Sequence, residues 1–435
     1  MNRLFLFFAI LLLLSVFSMI CPLSVKYSFE NSLLRVYGDD EGGNDQGNGH
    51  GGHGKGHQGE GNDEGDHHQR KFFNFKKIIR ENEHKNDKKD TKKDTKKKSP
   101  EPKPQTFDGY NFAKAGDEKR SEFSFAAVGD FGCSKNTKNT VSNIEQKKPE
   151  LVLPLGDLSY QSTADCWFDA MAPLKGKIMI TLGFHDVNDG KSKMNQYVNS
   201  LDINKQYNSF DYRHVHFVNL ASESPFDVSS AQYKFISEDL KKASENKDID
   251  WIVATTYGPF YTSPSTHNAE KDLRDIYHPL FEKYNVDLVL QAHNHNYQRT
   301  YPISYNSVGD SSEPSVTNRN TTGYNDHVNG TVFALVGTGG ESFYPLNGQA
   351  PYVANQFDGK FGFLDIDISN GNPHTKLTGT FYANNANEAL DQFTIEKEIK
   401  NNYVDIQPSQ SSSQASHVSQ NSDSNRNYLP SCVKC

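Results

Sequence analysis

Five short polar blocks, each at the end of an apolar run or within one, most constrain how this chain can fold. They lie at residues 129–132, 156–160, 183–186, 251–261 and 292–295. A short apolar run bounded by turn residues is typical of a buried strand, so each block is expected on the loop that follows a strand. Open α/β sheets bind their ligands at the carboxyl ends of their strands. The sequence therefore predicts one site built from segments that are far apart in the chain.

Composition confines the predicted folded part to the middle of the chain. Apolar residues make up 35% of the 435 residues, whereas about 45–50% is typical on a count that also includes Gly. Residues 38–105 consist mostly of Gly, His, Asp, Asn, Lys and Glu, and residues 405–428 mostly of Ser, Gln and Asn. We therefore predict a disordered linker over 26–120, one domain over 121–398 and a disordered tail over 399–435.

Residues 1–25 are expected to form a leader of one of two kinds. After Arg3, residues 4–25 carry no charge. This stretch is long enough for a membrane-spanning helix, which needs about 20 residues, and it equally fits a long signal peptide. In either case we expect the chain to be extracytoplasmic, secreted or membrane-anchored, with membrane contact through this apolar segment.

The cysteines fit such a compartment. Cys133 and Cys166 each lie a few residues beyond a predicted site loop. There they form either a disulfide or two small buried thiols. Cys432 and Cys435 form a C-x-x-C pair with no βαβ pattern nearby, which is weak support for a redox role.

The distribution of charge argues against nucleic acid as a partner. The net charge is −8, and residues 76–98 are dense in lysine. Acidic residues interleave with these lysines and no aromatic platform accompanies them, so a solvated spacer is favoured. The histidines within residues 38–105 allow a further hypothesis, cation sequestration, which rests on composition alone.

The periodicity of the domain predicts strands alternating with helices, followed mainly by strands. Such alternation favours a parallel core, so we expect an α/β fold of two packed mixed β-sheets flanked by helices. The predicted helices lie at residues 139–146, 231–243 and 269–284. The predicted strands lie at residues 124–128, 151–155, 178–182, 215–220, 251–255, 286–290, 331–336, 361–368, 376–382 and 392–398.

The order of the five blocks resembles that of the purple acid phosphatases. Gly-Asp-x-Gly, Gly-Asp-x-x-Tyr, Gly-x-His-Asp, a strand-end Pro-x-Tyr block and His-x-His-x-Tyr-x-Arg follow one another within about residues 122–398. Purple acid phosphatases belong to the calcineurin-like metallophosphoesterases. The resemblance therefore implies the four-layer αββα fold of that superfamily and a two-metal site.

The resemblance implies a first metal ion, iron, held by Asp130, Asp157, Tyr160 and His295. Hard cations prefer carboxylate and phenolate oxygen supplemented by imidazole nitrogen, and all four side chains are present. Asp157 would also bridge to a second ion (zinc, manganese or iron), with His293 as its other retained ligand. Each residue could instead form caps or core hydrogen bonds. A charged residue at the end of an apolar strand is costly, however, unless it is paired or metal-bound.

The chain departs from the family at the second metal position. Phe184 stands where the resemblance implies an Asn ligand, and Tyr257 stands where it implies a His ligand. A phenyl ring has no lone pair to offer, whereas a tyrosine phenolate could ligate. Two hypotheses follow. Either a second ion is still held, or the two aromatic side chains fill its volume and the chain binds one ion.

Two further histidines are candidates for handling the substrate. By resemblance, His185 contacts the phosphate and His267 protonates the leaving group, because an alkoxide leaves poorly without a proton. A solvated loop histidine is the competing interpretation of His267. The Gly-Thr-Gly-Gly loop at residues 337–340 resembles a family loop near the site, but it also fits an ordinary turn. We expect His216 to be structural.

These residues favour a metallophosphoesterase, with either full or attenuated activity, that hydrolyses phosphate monoesters by a metal-bound hydroxide. Its substrate would be a phosphorylated small molecule or a phosphoprotein. The alternative is a non-catalytic binding or surface-structural protein that keeps the fold and one metal ion. Retention of His185 and His267 favours the enzyme, because residues without a function are free to drift. The replaced ligands Phe184 and Tyr257 favour the alternative.

Overall fold

The computed structural model describes residues 121–201, 203–325, 330–370, 373–384 and 388–399. The predicted leader and linker lie outside this part of the chain, as does nearly all of the predicted tail, so their boundaries stay predictions. Within the residues described, no helix combines the length and the apolar character that crossing a membrane requires.

The described part of the chain contains six α-helices and fifteen strands. Helices α1 to α6 are Lys135–Lys147, Asp165–Met171, Phe184–Asn188, Lys191–Leu201, Ala231–Glu245 and Lys271–Lys283. Strands β1 to β15 are Phe123–Val128, Leu151–Pro154, Asn208–Tyr212, Val215–Asn219, Trp251–Thr255, Leu288–Gln291, Tyr297–Thr300, Ile303–Ser304, Ser315–Val316, Gly323–Asn325, Val332–Val336, Val353–Phe357, Gly362–Asn370, His374–Ala383 and Ala389–Glu398.

Most of the strands form two mixed sheets, which confirms the predicted α/β fold class. The first sheet has the order β10-β15-β14-β13-β1-β2, with β1 parallel to β2 and antiparallel to β13. The second has the order β12-β7-β11-β6-β5-β4-β3, and its centre from β11 to β4 is parallel. Phe125 of the first sheet meets Phe217 of the second edge-on, with 5.1 Å between ring centroids. The two sheets therefore share a core, while α1 packs on β13 and α5 packs on β4.

Helix α1 begins earlier than the predicted 139–146 because of local capping. The Ser134 hydroxyl accepts hydrogen bonds from the backbone N–H groups of Asn136 and Thr137, and the Thr137 hydroxyl accepts one from the Ser134 N–H. This reciprocal pattern is a capping box. The Thr137 hydroxyl also donates to the carbonyl oxygen of Phe131. The start of α1 is thus tied to the loop that follows β1.

The predicted strand at residues 178–182 is not a regular strand. This run contacts β2 through two isolated bridges on either side of Pro154. Proline has no N–H to donate to a strand ladder, although its carbonyl oxygen accepts a hydrogen bond from the Thr181 N–H at 2.8 Å. The pairing is therefore interrupted, but it still brings the block at 183–186 to the end of β2.

Cys133 and Cys166 form a disulfide, with 5.7 Å between their Cα atoms. This resolves the choice between a disulfide and two thiols. The bridge links the loop after β1 to the start of α2, across a sequence separation of 33 residues. It therefore holds together the segments that follow β1 and β2.

A buried ion pair ties the two sheets together. Arg299 of β7 donates to Asp391 of β15 twice, from Nε to Oδ2 at 2.6 Å and from an Nη to Oδ1 at 2.9 Å. The Tyr297 hydroxyl donates to the same carboxylate at 2.7 Å. The Arg299 and Asp391 side chains are only 1% and 5% exposed. Each charge therefore depends on the other for compensation.

Replacing Asp391 with Ala is expected to lower the free energy of unfolding by about 3–5 kcal/mol, because it leaves the Arg299 guanidinium buried without a counter-charge. The double variant Arg299→Met/Asp391→Leu is the matched control, since removing both charges is often close to neutral. Urea unfolding measures both. A single variant no less stable than the double variant would contradict this account of the ion pair.

His216 lies on β4 between two carboxylates. Its Nδ1 is 2.6 Å from Asp211 Oδ1 and its Nε2 is 2.9 Å from Asp239 Oδ2. Burial by itself lowers the pKa of His216, but the hydrogen bonds to Asp211 and Asp239 outweigh it and raise that pKa to about 9. The histidine is held as a cation between the edge of the second sheet and α5. It has the structural role predicted for it.

The contribution of His216 to stability is expected to depend on pH. Its pKa in the folded state lies above the ordinary value of 6.5, so the contribution is complete below about pH 6.5 and is lost as pH rises through about 9. We expect roughly 2 kcal/mol, after a discount for the exposure of Asp211. Thermal melts of wild type and His216→Gln across this range test it. A stability gap of the same size at both ends would count against it.

Candidate metal centre

The predicted site residues lie on loops that leave the strands of both sheets. Asp130 follows β1, Asp157 follows β2, and His293 and His295 follow β6. The φ angles of Asp130, Asp157 and His293 are positive, at 59°, 47° and 78°. Left-handed backbone costs a residue other than glycine about 1–2 kcal/mol, and such strain clusters at functional sites. The backbone is therefore strained at Asp130, Asp157 and His293.

Three of the four predicted first-metal residues converge on one point. The Tyr160 hydroxyl lies 3.2 Å from Asp130 Oδ1 and 2.9 Å from His295 Nε2. The same Nε2 and Oδ1 atoms are 3.6 Å apart, and both side chains are buried. A carboxylate oxygen, a phenol oxygen and an imidazole nitrogen thus form a triangle, which we call the Asp130–Tyr160–His295 triangle.

His295 is oriented by residues that the sequence did not identify. Its Nδ1 lies 2.6 Å from the carbonyl oxygen of Ser342. A carbonyl oxygen can only accept, so Nδ1 carries the proton and Nε2 turns its lone pair toward the triangle. Tyr344 stacks on the imidazole with 3.9 Å between centroids and 11° between ring planes. Fixing the tautomer and the ring plane in this way is typical of metal-binding histidines.

Asp157 lies beside the triangle, but its carboxylate is engaged by other groups. Its Oδ1 accepts a hydrogen bond from the His185 backbone N–H at 2.8 Å, and its Oδ2 accepts one from the Tyr257 hydroxyl at 2.6 Å. The Tyr257 hydroxyl is also 2.6 Å from Nδ1 of His293. The structure thus brings Asp157, Tyr257 and His293 together as a second group.

Burial opposes the ionisation of the acidic groups at the centre. Burial raises the pKa of Asp130. Burial also raises the pKa of Asp157, and repulsion by the neighbouring charge of Asp130 raises it further. Burial and the same carboxylates raise the pKa of the Tyr160 phenol. Such a cluster resists ionisation in the absence of a cation, and a bound metal ion would reverse that preference.

The Asp130–Tyr160–His295 triangle offers three donors of the kinds that a hard cation prefers. In the part of the chain that the structure describes, no three His, Cys, Asp or Glu side chains converge into a metal-binding group. At the triangle, the phenol of Tyr160 supplies the third donor. In the second group, Asp157 and His293 already share the Tyr257 hydroxyl, and the Phe184 ring offers no donor.

His185 lies next to the triangle and is held by a chain of polar contacts. Its ring centroid is 4.4 Å from that of Tyr160. Its Nδ1 lies 2.8 Å from Asp189 Oδ2, and Nζ of the buried Lys193 donates to that same oxygen at 3.3 Å. Lys193 also donates to the backbone carbonyl oxygens of Ser159 at 2.6 Å and His185 at 2.8 Å. Asp189 and Lys193 therefore fix the ring so that Nδ1 is engaged and Nε2 remains for an external ligand.

His267 lies against the second group. Its ring stacks on that of His293 with 4.1 Å between centroids, and the Tyr344 ring meets it edge-on at 5.2 Å. Asn294 fixes its backbone, because the His267 N–H donates to Asn294 Oδ1 at 3.0 Å and Asn294 Nδ2 donates to the His267 carbonyl oxygen at 2.8 Å. The structure therefore places this half-buried histidine at the centre.

The loop at residues 337–340 borders the triangle. The Gly339 N–H donates to the Gly129 carbonyl oxygen at 2.9 Å. A Cβ atom added to Gly337 would lie 2.7 Å from Asp130 Oδ2 and 2.0 Å from the Asn294 carbonyl oxygen. Any other residue at position 337 would therefore displace the Asp130 carboxylate or the backbone that carries His293 and His295.

Asp189, Lys193, Ser342 and Tyr344 were not among the predicted site residues. Asp189 and Lys193 follow His185 at successive spacings of four residues, although His185 and Lys193 lie on separate helices, α3 and α4. That pattern was available in the sequence. Ser342 contributes only its backbone carbonyl oxygen to His295, and no side-chain pattern signals such a contact.

Known phosphoesterases are similar in sequence to part of this chain. The family model for calcineurin-like phosphoesterases matches residues 123–297. Purple acid phosphatase 21 of Arabidopsis thaliana is 30% identical over 238 residues, covering 49% of this chain and 54% of the relative. Purple acid phosphatase 22 of the same plant is 30% identical over 209 residues, covering 44% and 48%. The chain thus spans about half the length of these curated relatives.

A solved structure shows the same fold. The purple acid phosphatase isolated from yellow lupin (Lupinus luteus) seeds superimposes with a TM-score of 0.57 at 21% identity, over 64% of this chain and 54% of that one. The two mixed sheets, the family match and these relatives agree with one another. Residues 123–297 match the calcineurin-like phosphoesterases, and the chain has distant homologues among the purple acid phosphatases.

Proposed function

We propose that this chain is an extracytoplasmic metal-dependent phosphatase that hydrolyses phosphate monoesters. The observation that carries the proposal is the Asp130–Tyr160–His295 triangle, with all three donor atoms within 3.6 Å of one another at the ends of the strands. We assign an iron ion to this triangle, with the adjacent Asp157 as its fourth ligand. The names of the relatives, purple acid phosphatases, support the reaction class.

Asp130, Tyr160 and His295 would hold a metal ion, which would supply positive charge to the phosphoryl oxygens and make water more acidic. His185 binds a phosphoryl oxygen through Nε2, because Nδ1 is held by Asp189. His267 gives a proton to the leaving oxygen. One histidine lies beside Tyr160 and the other beside His293, so a phosphate ester would bind between them.

The substrate class is a phosphorylated small molecule or a phosphoprotein. The Cys133–Cys166 disulfide supports an extracytoplasmic location, because disulfides persist in oxidising compartments. Secretion or anchoring through residues 1–25 remains a prediction from the sequence.

A specific contact favours a second candidate function. The Tyr257 hydroxyl lies between Asp157 and His293, and two-metal phosphatases use a pair of ions to stabilise both the attacking and the leaving oxygen. A non-catalytic binding or surface-structural protein with one metal ion would tolerate this arrangement. The placement of His185 and His267 at the centre favours the enzyme.

Hydrolysis of p-nitrophenyl phosphate from acid to neutral pH distinguishes the two functions. We expect wild-type turnover to exceed that of Asp157→Ala. Equal turnover of the two proteins would exclude the enzyme and leave the binding protein. The visible spectrum of the purified protein is an independent check, since ferric iron bound by Tyr160 gives an absorption band that Tyr160→Phe removes.

The Asp189→Asn variant is expected to lower kcat/KM for p-nitrophenyl phosphate by about 10-fold, because His185 loses the carboxylate that orients it. Inhibition by inorganic phosphate should weaken by a similar factor while the metal content stays unchanged. Lys193→Met removes the hydrogen bond from Lys193 to Asp189 and should also lower kcat/KM and weaken phosphate inhibition. The exposed Lys241→Met is the matched control for loss of a lysine charge. Unaltered phosphate inhibition in Asp189→Asn would show that Asp189 does not position His185.

A further inference from the structure

The Tyr257 hydroxyl occupies the space between the two retained ligands of the second metal position. Its oxygen lies 2.6 Å from Asp157 Oδ2 and 2.6 Å from His293 Nδ1. The side chain is 2% exposed. This buried oxygen therefore contacts both Asp157 and His293, the two residues that a second cation would link.

The proton positions in this group follow from counting donors. The phenol has one hydrogen, which it donates to the Asp157 carboxylate. With Asp157 ionised, as it would be beside a metal ion at the triangle, His293 then uses Nδ1–H as the donor to the Tyr257 oxygen, because two acceptors cannot bond to each other. Nδ1 of His293 consequently has no lone pair free for a metal ion.

The Tyr257 oxygen lies close to the position that an ion between Asp157 and His293 would take. Metal ions such as zinc bind carboxylate oxygen and imidazole nitrogen at about 2.0–2.2 Å. An ion at that distance from both Asp157 Oδ2 and His293 Nδ1 would lie close to the Tyr257 oxygen, which is 2.6 Å from each of these atoms. Occupying the position requires Tyr257 to move or to become a ligand.

The surrounding backbone holds the Tyr257 ring in place. A Cβ atom added to Gly156 or Gly183 would lie 2.7 Å or 2.8 Å from Cδ2 of this ring. Gly156 and Gly183, which lie in two of the site loops, thus leave space for the Tyr257 ring. Phe184, the residue after Gly183, packs partly buried against the same core. Tyr257 is part of that core, so both aromatic replacements pack in the same apolar region.

Asp157 is satisfied without a second ion. Its Oδ2 accepts from the Tyr257 hydroxyl, and its Oδ1 accepts from the His185 backbone N–H at 2.8 Å. A carboxylate oxygen has two lone pairs, so each oxygen retains one for an ion at the neighbouring triangle. The Asp157 carboxylate can therefore still bind one ion at the triangle. On the side of the second metal position, its Oδ2 already accepts a hydrogen bond from Tyr257.

We propose that the Tyr257 hydroxyl replaces the second metal ion of the two-metal centre, so that this chain binds one metal ion, at the Asp130–Tyr160–His295 triangle. The inference rests on the proposed function in taking the first ion as bound. It predicts a hydrolase or binding protein with a mononuclear centre. Two hydrogen bonds that link Asp157, Tyr257 and His293 stand where the resemblance implies a cation.

The test is the number of metal ions per chain, measured by elemental analysis of the full-length protein as purified and after equilibration with excess Mn²⁺. We expect one ion in wild type, one in Tyr257→Phe, none in His295→Ala and two in Tyr257→His/Phe184→Asn. Electron paramagnetic resonance of the Mn²⁺ forms gives a second readout. Two ions about 3.5–4 Å apart are magnetically coupled, whereas a single ion is not.

The outcomes separate this inference from the proposed function. Two ions in wild type that fall to one in Tyr257→Phe would make Tyr257 a ligand and overturn the replacement. Two ions in both proteins would overturn it as well. No ion in wild type but one in the double variant would refute the proposed metal at the triangle while supporting the replacement by Tyr257. No ion in either protein would overturn both. Tyr257→Phe keeps the ring, so the comparison survives even if the double variant does not fold.

Discussion

The Asp130→Asn variant is expected to lose its metal ion and to turn over p-nitrophenyl phosphate at least about 10³-fold more slowly than wild type. The Asp130 carboxylate is fully buried in contact with Tyr160 and His295. An amide keeps its shape and one acceptor oxygen but removes the charge that attracts a cation. A factor of 10³ corresponds to about 4 kcal/mol, which is the size typical of losing one preorganised electrostatic contact to a transition state.

The same substitution is expected to stabilise the metal-free protein. Burial raises the pKa of Asp130, so the ionised carboxylate destabilises the metal-free fold progressively as pH rises above the unfolded value of about 4. A neutral amide avoids this cost. In the presence of a chelator, Asp130→Asn should melt above wild type, and added metal should raise the melting temperature of wild type alone.

The exposed residue Asp227 offers a matched control, because Asp227→Asn removes an equal charge from the surface. It should leave metal content, turnover and melting temperature close to those of wild type. An Asp130→Asn protein that keeps its metal ion, or that melts below metal-free wild type, would show that Asp130 is not a metal ligand in the arrangement described.

How much of the fold was predictable depended on where each element lies. The buried strand Trp251–Thr255 was predicted with its exact ends, and Lys271–Lys283 within two residues, because a continuous apolar run and a helical stripe are local signals. The strand Asn208–Tyr212 was not predicted. It lies at the edge of the second sheet with a mainly polar sequence, and only its pairing with Val215–Asn219 makes it a strand. Long-range pairing of this kind leaves little trace in local sequence.

The sequence predicted which residues meet at the candidate site better than it predicted how their side chains are oriented. Asp130, Tyr160 and His295 stood in ordered blocks, and the structure brings them together. The direction of the Asp157 carboxylate was not predictable, because it is determined by the hydroxyl of Tyr257, which lies 100 residues further along the chain. The orientation of His295 likewise depends on a carbonyl oxygen 47 residues away. Contacts at such separations follow from how the sheets pack, and no single segment encodes them.

The double variant Phe184→Asn/Tyr257→His is expected to raise turnover of p-nitrophenyl phosphate by about 10²-fold or more. The substitutions introduce an amide oxygen and an imidazole nitrogen next to Asp157 and His293, which completes an oxygen and nitrogen donor set. A second ion adds transition-state charge stabilisation worth several kcal/mol. A factor of 10² requires only about 2.7 kcal/mol.

The gain in turnover should carry a cost in stability. Tyr257 is almost fully buried, so exchanging it for a smaller side chain leaves unfilled space and lowers the stability of the metal-free protein by about 1–3 kcal/mol. Metal binding to the native state should offset this loss. Thermal melts with chelator and with excess Mn²⁺ separate the two contributions, since the melting temperature of the double variant should depend on metal more steeply than that of wild type.

The matched control is Phe184→Asn/Tyr257→Phe, which has the same amide and nearly the same ring volume as Tyr257 but lacks the imidazole. Its turnover should stay well below that of the histidine double variant, because Asp157, His293 and a single amide make a weak site. If both double variants gained equally, removal of the Tyr257 hydroxyl from Asp157 would be the cause, and the second ion would be irrelevant. If the histidine variant bound two ions without a gain in turnover, the missing second ion would not be what limits turnover. The histidines that handle the substrate would then limit it, and His185, which Asp189 orients, would be tested next.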